Sequence, residues 1–462
     1  MRMRALLIAS VTLGTLLMAG CTLGPDYQRP EITEPDAFEQ ATKSGPSIAN
    51  LNWWELFGDE QLNSLVKIAL EQNKDMAIAV SRIEEARAAL GFVRADQYPQ
   101  FGISAGASRG NSIPGTAVVG SIDNSFVLAG NLSYELDLWG KLRRSTESAR
   151  AELLATVEAS NSVRITLIAD VASAYLLLLD IDERVAIAER TLSTRDASLG
   201  IIQARFDRGT VALIDVNQAE IEKYDAEAEL VSLQREDVQA ENLLNVLLGR
   251  NPGVILRDRR TIYSLSPLSV PSGLPSELLE RRPDIRVAEQ LLAAQTARIG
   301  IAEAIRFPSI SLTGTLGLAS PELSGFFSGD NKAWGLSAGL LAPVFDAGRN
   351  KRRVEVEVAR TEQALLIYEQ TVLQSFREVE DSLISVSTYA REVVARQNQQ
   401  KSAASAAMLS RARYDGGVTS YLEVLESERS LFRAELLASS THREQLVAYV
   451  TLYKALGGGW NP

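Results

Sequence analysis

The sequence predicts an α+β membrane protein made of two copies of one unit: a helix, a pair of strands and a long coiled-coil hairpin. Three observations predict it. The first is an internal repeat. Asp75-Met-Ala-Ile-Ala and Asp284-Ile-Arg-Val-Ala each open a helical stretch that stops at a proline, Pro99 and Pro308. Asp137-Leu-Trp-Gly140-Lys matches Asp346-Ala-Gly348-Arg with one residue missing, Ala204-Arg-Phe-Asp-Arg-Gly209 matches Ala412-Arg-Tyr-Asp-Gly-Gly417, and Leu248-Gly249 matches Leu456-Gly457. An offset held near 208 residues through landmarks in one order marks a duplicated half-chain. The second is period-two alternation: Ile310, Leu312, Leu316 and Leu318 against Ser309, Ser311, Thr313, Thr315 and Gly317, and Phe126, Leu128, Leu132, Tyr134, Leu136 and Leu138 against their more polar neighbours. The third is a heptad seam. Leu167, Val171, Ala174, Leu178, Ile181, Val185, Ala188 and Leu192 advance by fours and threes, as do Val372, Phe376, Val379, Leu383, Val386, Ala390 and Val393.

The elements follow in order. Arg2 and Arg4 precede an apolar stretch from Ala5 to Met18 that ends in the small residues Ala19 and Gly20, the order of an export signal over residues 1–20. Leu17-Met18-Ala19-Gly20-Cys21 resembles a bacterial lipobox, in which the cysteine is acylated; Met18 stands where Leu is usual. Residues 21–58 form an N-terminal segment. The first repeat spans 59–250, with strands at about 99–111 and 121–138 and helices at about 140–206 and 212–249. A linker, 251–275, leads to the second repeat, 276–457, with strands at about 308–320 and 333–346 and helices at about 348–414 and 420–456. Residues 458–462 are a tail.

After the signal no segment reads as a membrane helix; the longest apolar block, Val171 to Leu179, is far short of the ~20 residues a span needs. Any crossing must be made by strands closed into a barrel. Four strands are half of the roughly eight that bacterial barrels start from, so several chains must share one barrel. A stretch from Gly140 to Phe206 without proline would reach roughly 100 Å as one helix at 1.5 Å per residue. That is a rod suited to a helical tube.

Composition narrows the function. A formal charge of −11 opposes a nucleic-acid partner. One Cys and one His, with no phosphate-binding loop or dinucleotide fingerprint, leave no constellation for catalysis, metal or cofactor. His442 lies among polar neighbours and reads as a surface helix residue, and Trp53, Trp54 and Trp460 read as packing residues.

Gly24-Pro-Asp-Tyr-Gln-Arg-Pro30, Trp53-Trp54-Glu-Leu-Phe57 with Asp59, Tyr134-Glu-Leu-Asp-Leu-Trp-Gly140, Arg281-Arg-Pro-Asp284 and Leu452-Tyr-Lys-Ala-Leu-Gly-Gly-Gly-Trp460 occur together and in order. With them the whole mature chain resembles the TolC-like outer membrane factors, in their OprM/NodT-type lipoprotein branch. The resemblance implies a homotrimer with a twelve-stranded β-barrel, a long α-helical barrel and a mixed equatorial domain holding residues 21–58 and the 251–275 linker. It implies a cell outer membrane location, extending into the periplasm, with N-acyl and S-diacylglycerol groups on Cys21 and no other cofactor. As partners it implies a periplasmic membrane-fusion adaptor, an inner-membrane pump of the resistance-nodulation-division (RND) class and outer-membrane lipid. The function implied is passive export of drugs or other small toxic compounds; the same fold also serves type I protein secretion and heavy-metal efflux.

The coiled-coil tips fall at Gly209 and at Gly416-Gly417, the surfaces where the resemblance implies adaptor docking. Acids at Glu423 and Glu426 would ring the periplasmic gate, with Asp215 beside them. Ser420-Tyr-Leu-Glu423 also fits a capping box opening the return helix. Tyr414 matches a family tyrosine that latches neighbouring coils toward the position of Asp215, whereas an arginine of the TolC latch falls here on Thr419.

Overall fold

The computed structural model describes residues 22–32, 35, 37–39, 52–112, 119–257, 261–265 and 279–458. The readings of the export signal, of Cys21 and of Trp460 concern residues outside these. Helices α1 (Glu60–Gln72) and α2 (Lys74–Ala95) precede strands β1 (Gln100–Ser112) and β2 (Val119–Leu136), then helices α3 (Lys141–Asp207) and α4 (Leu213–Leu247). The second half runs α5 (Pro283–Ala304), β3 (Ser309–Ser320), β4 (Lys332–Leu341), α6 (Arg349–Asp415) and α7 (Tyr421–Ala455). The duplication is visible in the lengths: α3 and α6 both have 67 residues, α4 and α7 both 35. β4 stops at Leu341, short of the expected 346. Pro343 has no amide to give a ladder, and the Asp346 carboxylate instead accepts from the Gly348 and Asn350 amides at 2.9 and 3.0 Å, opening α6.

By its internal contacts the chain divides into two units. The first holds Met1–Glu31, Arg82–Val157 and Val287–Glu369. Its centre is a four-stranded antiparallel sheet of order β1-β2-β3-β4, with β1 and β4 as its edges. The register sorts the side chains. Phe101, Leu132, Gly314 and Leu336 form one row, and Ile103, Gly130, Leu316 and Trp334 the next, all on one face. Asn131 with Thr315 and Thr313 with Ser337 lie on the other, where Asn131 Nδ2 donates to Ser104 Oγ at 2.9 Å and the Thr313 and Ser337 hydroxyls bond at 2.7 Å. Among the described residues the apolar face has no protein cover: Ile103 is 84 % exposed and Trp334 79 %.

The second unit holds Ile32–Ser81, Glu158–Arg286 and Gln370–Pro462. Its core takes the heptad positions Leu167, Val171, Leu178 and Ile181 of α3 together with Trp53, Trp54, Leu62, Leu244 and Tyr453. Trp53 stacks on Tyr453 at 5.3 Å, and the buried Tyr175 hydroxyl donates to Asp59, which also caps α1. α3 carries an apolar stretch that would pass for a membrane span by composition, and much of it packs inside this core.

His442 is a correction. It is 7 % exposed, its ring set 5.1 Å from Tyr263, and burial holds its pKa below the usual imidazole value. The cause is helical spacing: Ala438, His442, Leu446, Tyr449 and Tyr453 form one buried stripe of α7, and the nearby polar residues Ser439, Thr441 and Gln445 are buried as well.

Candidate functional site

The tips of the two helical hairpins carry the candidate gate. Each long helix ends in the same motif. Gly209 (φ 73°) donates to Phe206 O at 2.8 Å and Thr210 to Arg205 O at 3.0 Å; Gly417 (φ 74°) donates to Tyr414 O and Val418 to Arg413 O, both at 2.9 Å. This is the glycine-terminated helix end in which a left-handed residue lets two amides reach back to orphan carbonyls. Gly416 precedes the left-handed position and corresponds to Arg208 in the first hairpin.

Asp215 and Glu423 hold the same place in the repeat, the third residue of α4 and of α7, but they are used differently. Asp215 Oδ2 accepts from the Ala212 amide at 3.2 Å, closing the start of its own helix. Glu423 forms no capping box, for the Ser420 side chain makes no cap bond. Its carboxylate accepts from the Thr419 hydroxyl and lies 3.3 Å from Arg413 Nε. A guanidinium at the end of the preceding helix is the stronger partner for a carboxylate. Glu426, more exposed, has Arg429 at 3.5 Å. Glu423 and Glu426 thus each have an arginine of the same chain beside them, whereas Asp215 has a backbone amide.

Tyr414 and Asp215 are not hydrogen-bonded to each other within the chain. The Tyr414 ring packs at 5.3 Å from Tyr421, and the Arg205 guanidinium sits over it at 4.9 Å. That places an arginine of the first hairpin on an aromatic ring of the second.

What joins the hairpins lies just behind the turns. Ile202, Val216, Ala219, Tyr421, Val424 and Leu425 make a small core. Beside it Arg195, with its side chain 3 % exposed, pairs with Glu222, 5 % exposed, at 3.1 Å and covers the Phe432 ring at 5.1 Å. Arg429, from α7, donates to the same Glu222 through Nε at 3.1 Å. Arg411 lies 3.5 Å from Glu428, whose pKa burial raises, and donates to Ser198 Oγ at 3.0 Å. So Glu222 and Ser198 of one hairpin are held by Arg429 and Arg411 of the other. On the outside, Leu213, Ile214, Val418 and Leu422 are exposed around the turns. Neither the ion cluster nor this apolar rim was found from sequence. The rim could have been, since two apolar residues follow each tip turn.

A sheet with one lipid-compatible face and, among the described residues, two open edges, in a chain whose longest helices each have 67 residues, defines a class: channel subunits that bridge a membrane and the space beneath it. The chain belongs to the outer membrane efflux protein family, whose profile matches it twice, over residues 65–250 and 274–458. It is an outer-membrane efflux protein of TolC-like fold. It is 36 % identical to the outer membrane protein OprJ of Pseudomonas aeruginosa over 98 % of this chain and 96 % of that one. It is 34 % identical to the cation efflux system protein CusC of Escherichia coli K12, covering 96 % of this chain and 97 % of that one. Among solved structures, the open state of the Neisseria gonorrhoeae MtrE outer membrane channel superposes with a TM-score of 0.85 at 31 % identity, over 95 % of this chain and 98 % of that chain.

Proposed function

We propose that three copies of this chain form the exit duct of a tripartite, RND-driven efflux pump, through which drugs or other small toxic compounds leave passively. The observation that carries this reading is the sheet. Its apolar face suits lipid, its opposite face carries hydroxyls and amides suited to a wet lumen, and its edges β1 and β4 run antiparallel to one another, so β4 of one copy can pair with β1 of the next. Three such sheets close a twelve-stranded barrel with no free edge. Cys21 carries the acyl anchor, and residues 21–58 and 251–275 belong to the equatorial domain. The chain performs no chemistry of its own.

Glu423, Glu426 and Asp215 line the resting constriction, Tyr414 latches it, and the turns at Gly209, Gly416 and Gly417 dock a periplasmic adaptor. The exposed Leu213, Ile214, Val418 and Leu422 supply apolar contact for that docking. CusC, by its name a cation efflux protein, raises metal ions as the alternative cargo. The pairing of Glu423 with Arg413 favours organic compounds, because a guanidinium occupies a carboxylate that a metal would need.

Deletion of the gene, followed by susceptibility profiling against drugs, dyes, copper and silver, tests the reading, with crosslinking at Val418 to capture the adaptor. Sensitisation to organic compounds is expected; sensitisation to metals alone would overturn the cargo assignment.

A further inference from the structure

Residues 22–30 have no helix or strand of their own, yet they are seated in a built groove of the first unit. Arg144, in the first turn of α3, is at its centre with its side chain 3 % exposed. Its Nε donates to Leu23 O at 3.0 Å, and its Nη2 to Gly24 O at 3.0 Å and to Asp26 Oδ1 at 2.7 Å; Nη1 goes to Glu147 at 2.7 Å. The Leu23 amide donates to Trp139 O at 3.2 Å. Further along, the Tyr27 hydroxyl donates to Glu289 of α5 at 3.2 Å.

The groove is shaped for backbone. A Cβ on Gly24, where φ is +84°, would lie 2.4 Å from Gly300 Cα of α5; one on Gly300 would lie 2.6 Å from Leu23 O; one on Gly140 would meet Thr22 at 2.8 Å. The internal repeat supplies a control. Arg352 corresponds to Arg144 and Glu355 to Glu147, and Arg352 keeps its acid three residues on at 2.6 Å, yet its side chain is 76 % exposed. Gly91 and Gly348 correspond to Gly300 and Gly140, and a Cβ on either would meet nothing within 4 Å. The position therefore carries a solvated helix arginine by default, and in the first repeat the N-terminal segment buries it.

We propose that the groove between α3 and α5 is a docking site for the chain's own residues 22–30, with Arg144 as its positioning residue, and that it fixes the height of residue 21 against the lower rim of the sheet. Trp139 lies three residues beyond the end of β2. An extended chain covers at most about 3.6 Å per residue, so residue 21 stays within roughly 7 Å of Leu23. Acyl chains attached there enter the leaflet against which β2 ends and β3 begins, and cannot drift from the barrel. This rests on the lipid-anchor reading of Cys21.

The test is hydrogen exchange of the full-length protein in lipid nanodiscs, with peptides from residues 22–30 compared with peptides from the sheet. Arg144→Gln, and independently Gly300→Ala, which leaves α5 a good helix, should speed exchange in 22–30 at least tenfold while sheet peptides stay unchanged. Arg144→Lys should recover part of the protection. Protection unchanged in both Arg144→Gln and Gly300→Ala overturns the proposal. Cys21→Ser separates the two readings. The groove predicts that residues 22–30 stay protected without the lipid, and loss of protection there would mean that the anchor holds the segment. Palmitate labelling of the native chain tests the anchor itself, and its failure would leave the groove result standing.

Discussion

Replacing Glu222 by Ala should loosen both hairpin tips together. Glu222 is shared by Arg195 on its own hairpin and Arg429 on the other, and Arg195 is as buried as the acid it faces. Removing one partner of a buried ion pair costs about 3–5 kcal/mol, because the remaining charge stays desolvated and unpaired. Asp225, 3.4 Å from Arg195 but with its side chain 65 % exposed, can take over part of that role, which argues for the lower end, about 3 kcal/mol. At about 1.4 kcal/mol per tenfold, local opening should become roughly a hundredfold more frequent. Native-state hydrogen exchange reads this directly in peptides from Arg195 to Asp225 and from Arg411 to Phe432. The second peptide set is the informative one, since it carries no substitution. Glu227→Ala, at an exposed position of the same helix, should stay within about 0.5 kcal/mol of the native protein. Exchange within twofold of native in the Arg411 to Phe432 peptides would refute the claim that Glu222 ties the hairpins together.

Four further outcomes are expected. In planar bilayers, Glu423→Gln and Glu426→Gln should lower the cation preference measured by reversal potential, and Arg413→Gln should raise it, since Arg413 offsets Glu423. Asp215→Ala and Tyr414→Phe should each raise single-channel conductance; unchanged conductance in both would count against the latch. Leu316→Lys should block barrel assembly, costing about 2–4 kcal/mol per chain on the lipid face, whereas Thr315→Lys, one residue away on the other face, should still give heat-resistant oligomers on gels. Burial places the folded-state pKa of His442 below the unfolded value of about 6.5, so the stability that depends on its neutral form is present above that pH and is lost as pH falls. His442→Gln should flatten the melting-temperature profile between pH 7 and 5; a slope as steep as that of the native protein would contradict this.

The parts legible in the sequence were those with a local period. Alternation marked the strands because the barrel wall has one apolar and one polar face, and the heptads marked the long helices because Val171, Leu178 and Val379 face a packed seam. Contacts between distant segments left no such trace. Arg429 and Glu222 lie on different helices some 200 residues apart, and each reads alone as a solvated helix charge. Arg144 was hidden for the same reason, since its repeat counterpart Arg352 is solvated. His442 was readable, but only by following the apolar stripe through Leu446 and Tyr449 and not its polar neighbours along the chain. At Glu423 a local rule misled: the capping-box spacing is present, but Arg413 and Thr419 take the carboxylate.

The central claim, that this sheet is one third of a closed pore wall, is tested most directly at its two edges. Cysteines placed along β1 and β4, one per edge, should form disulfides between copies in outer membranes, and native mass spectrometry of the crosslinked species should return three chains. Crosslinks confined within one chain, or a complex of one or two chains with full efflux activity, would contradict it.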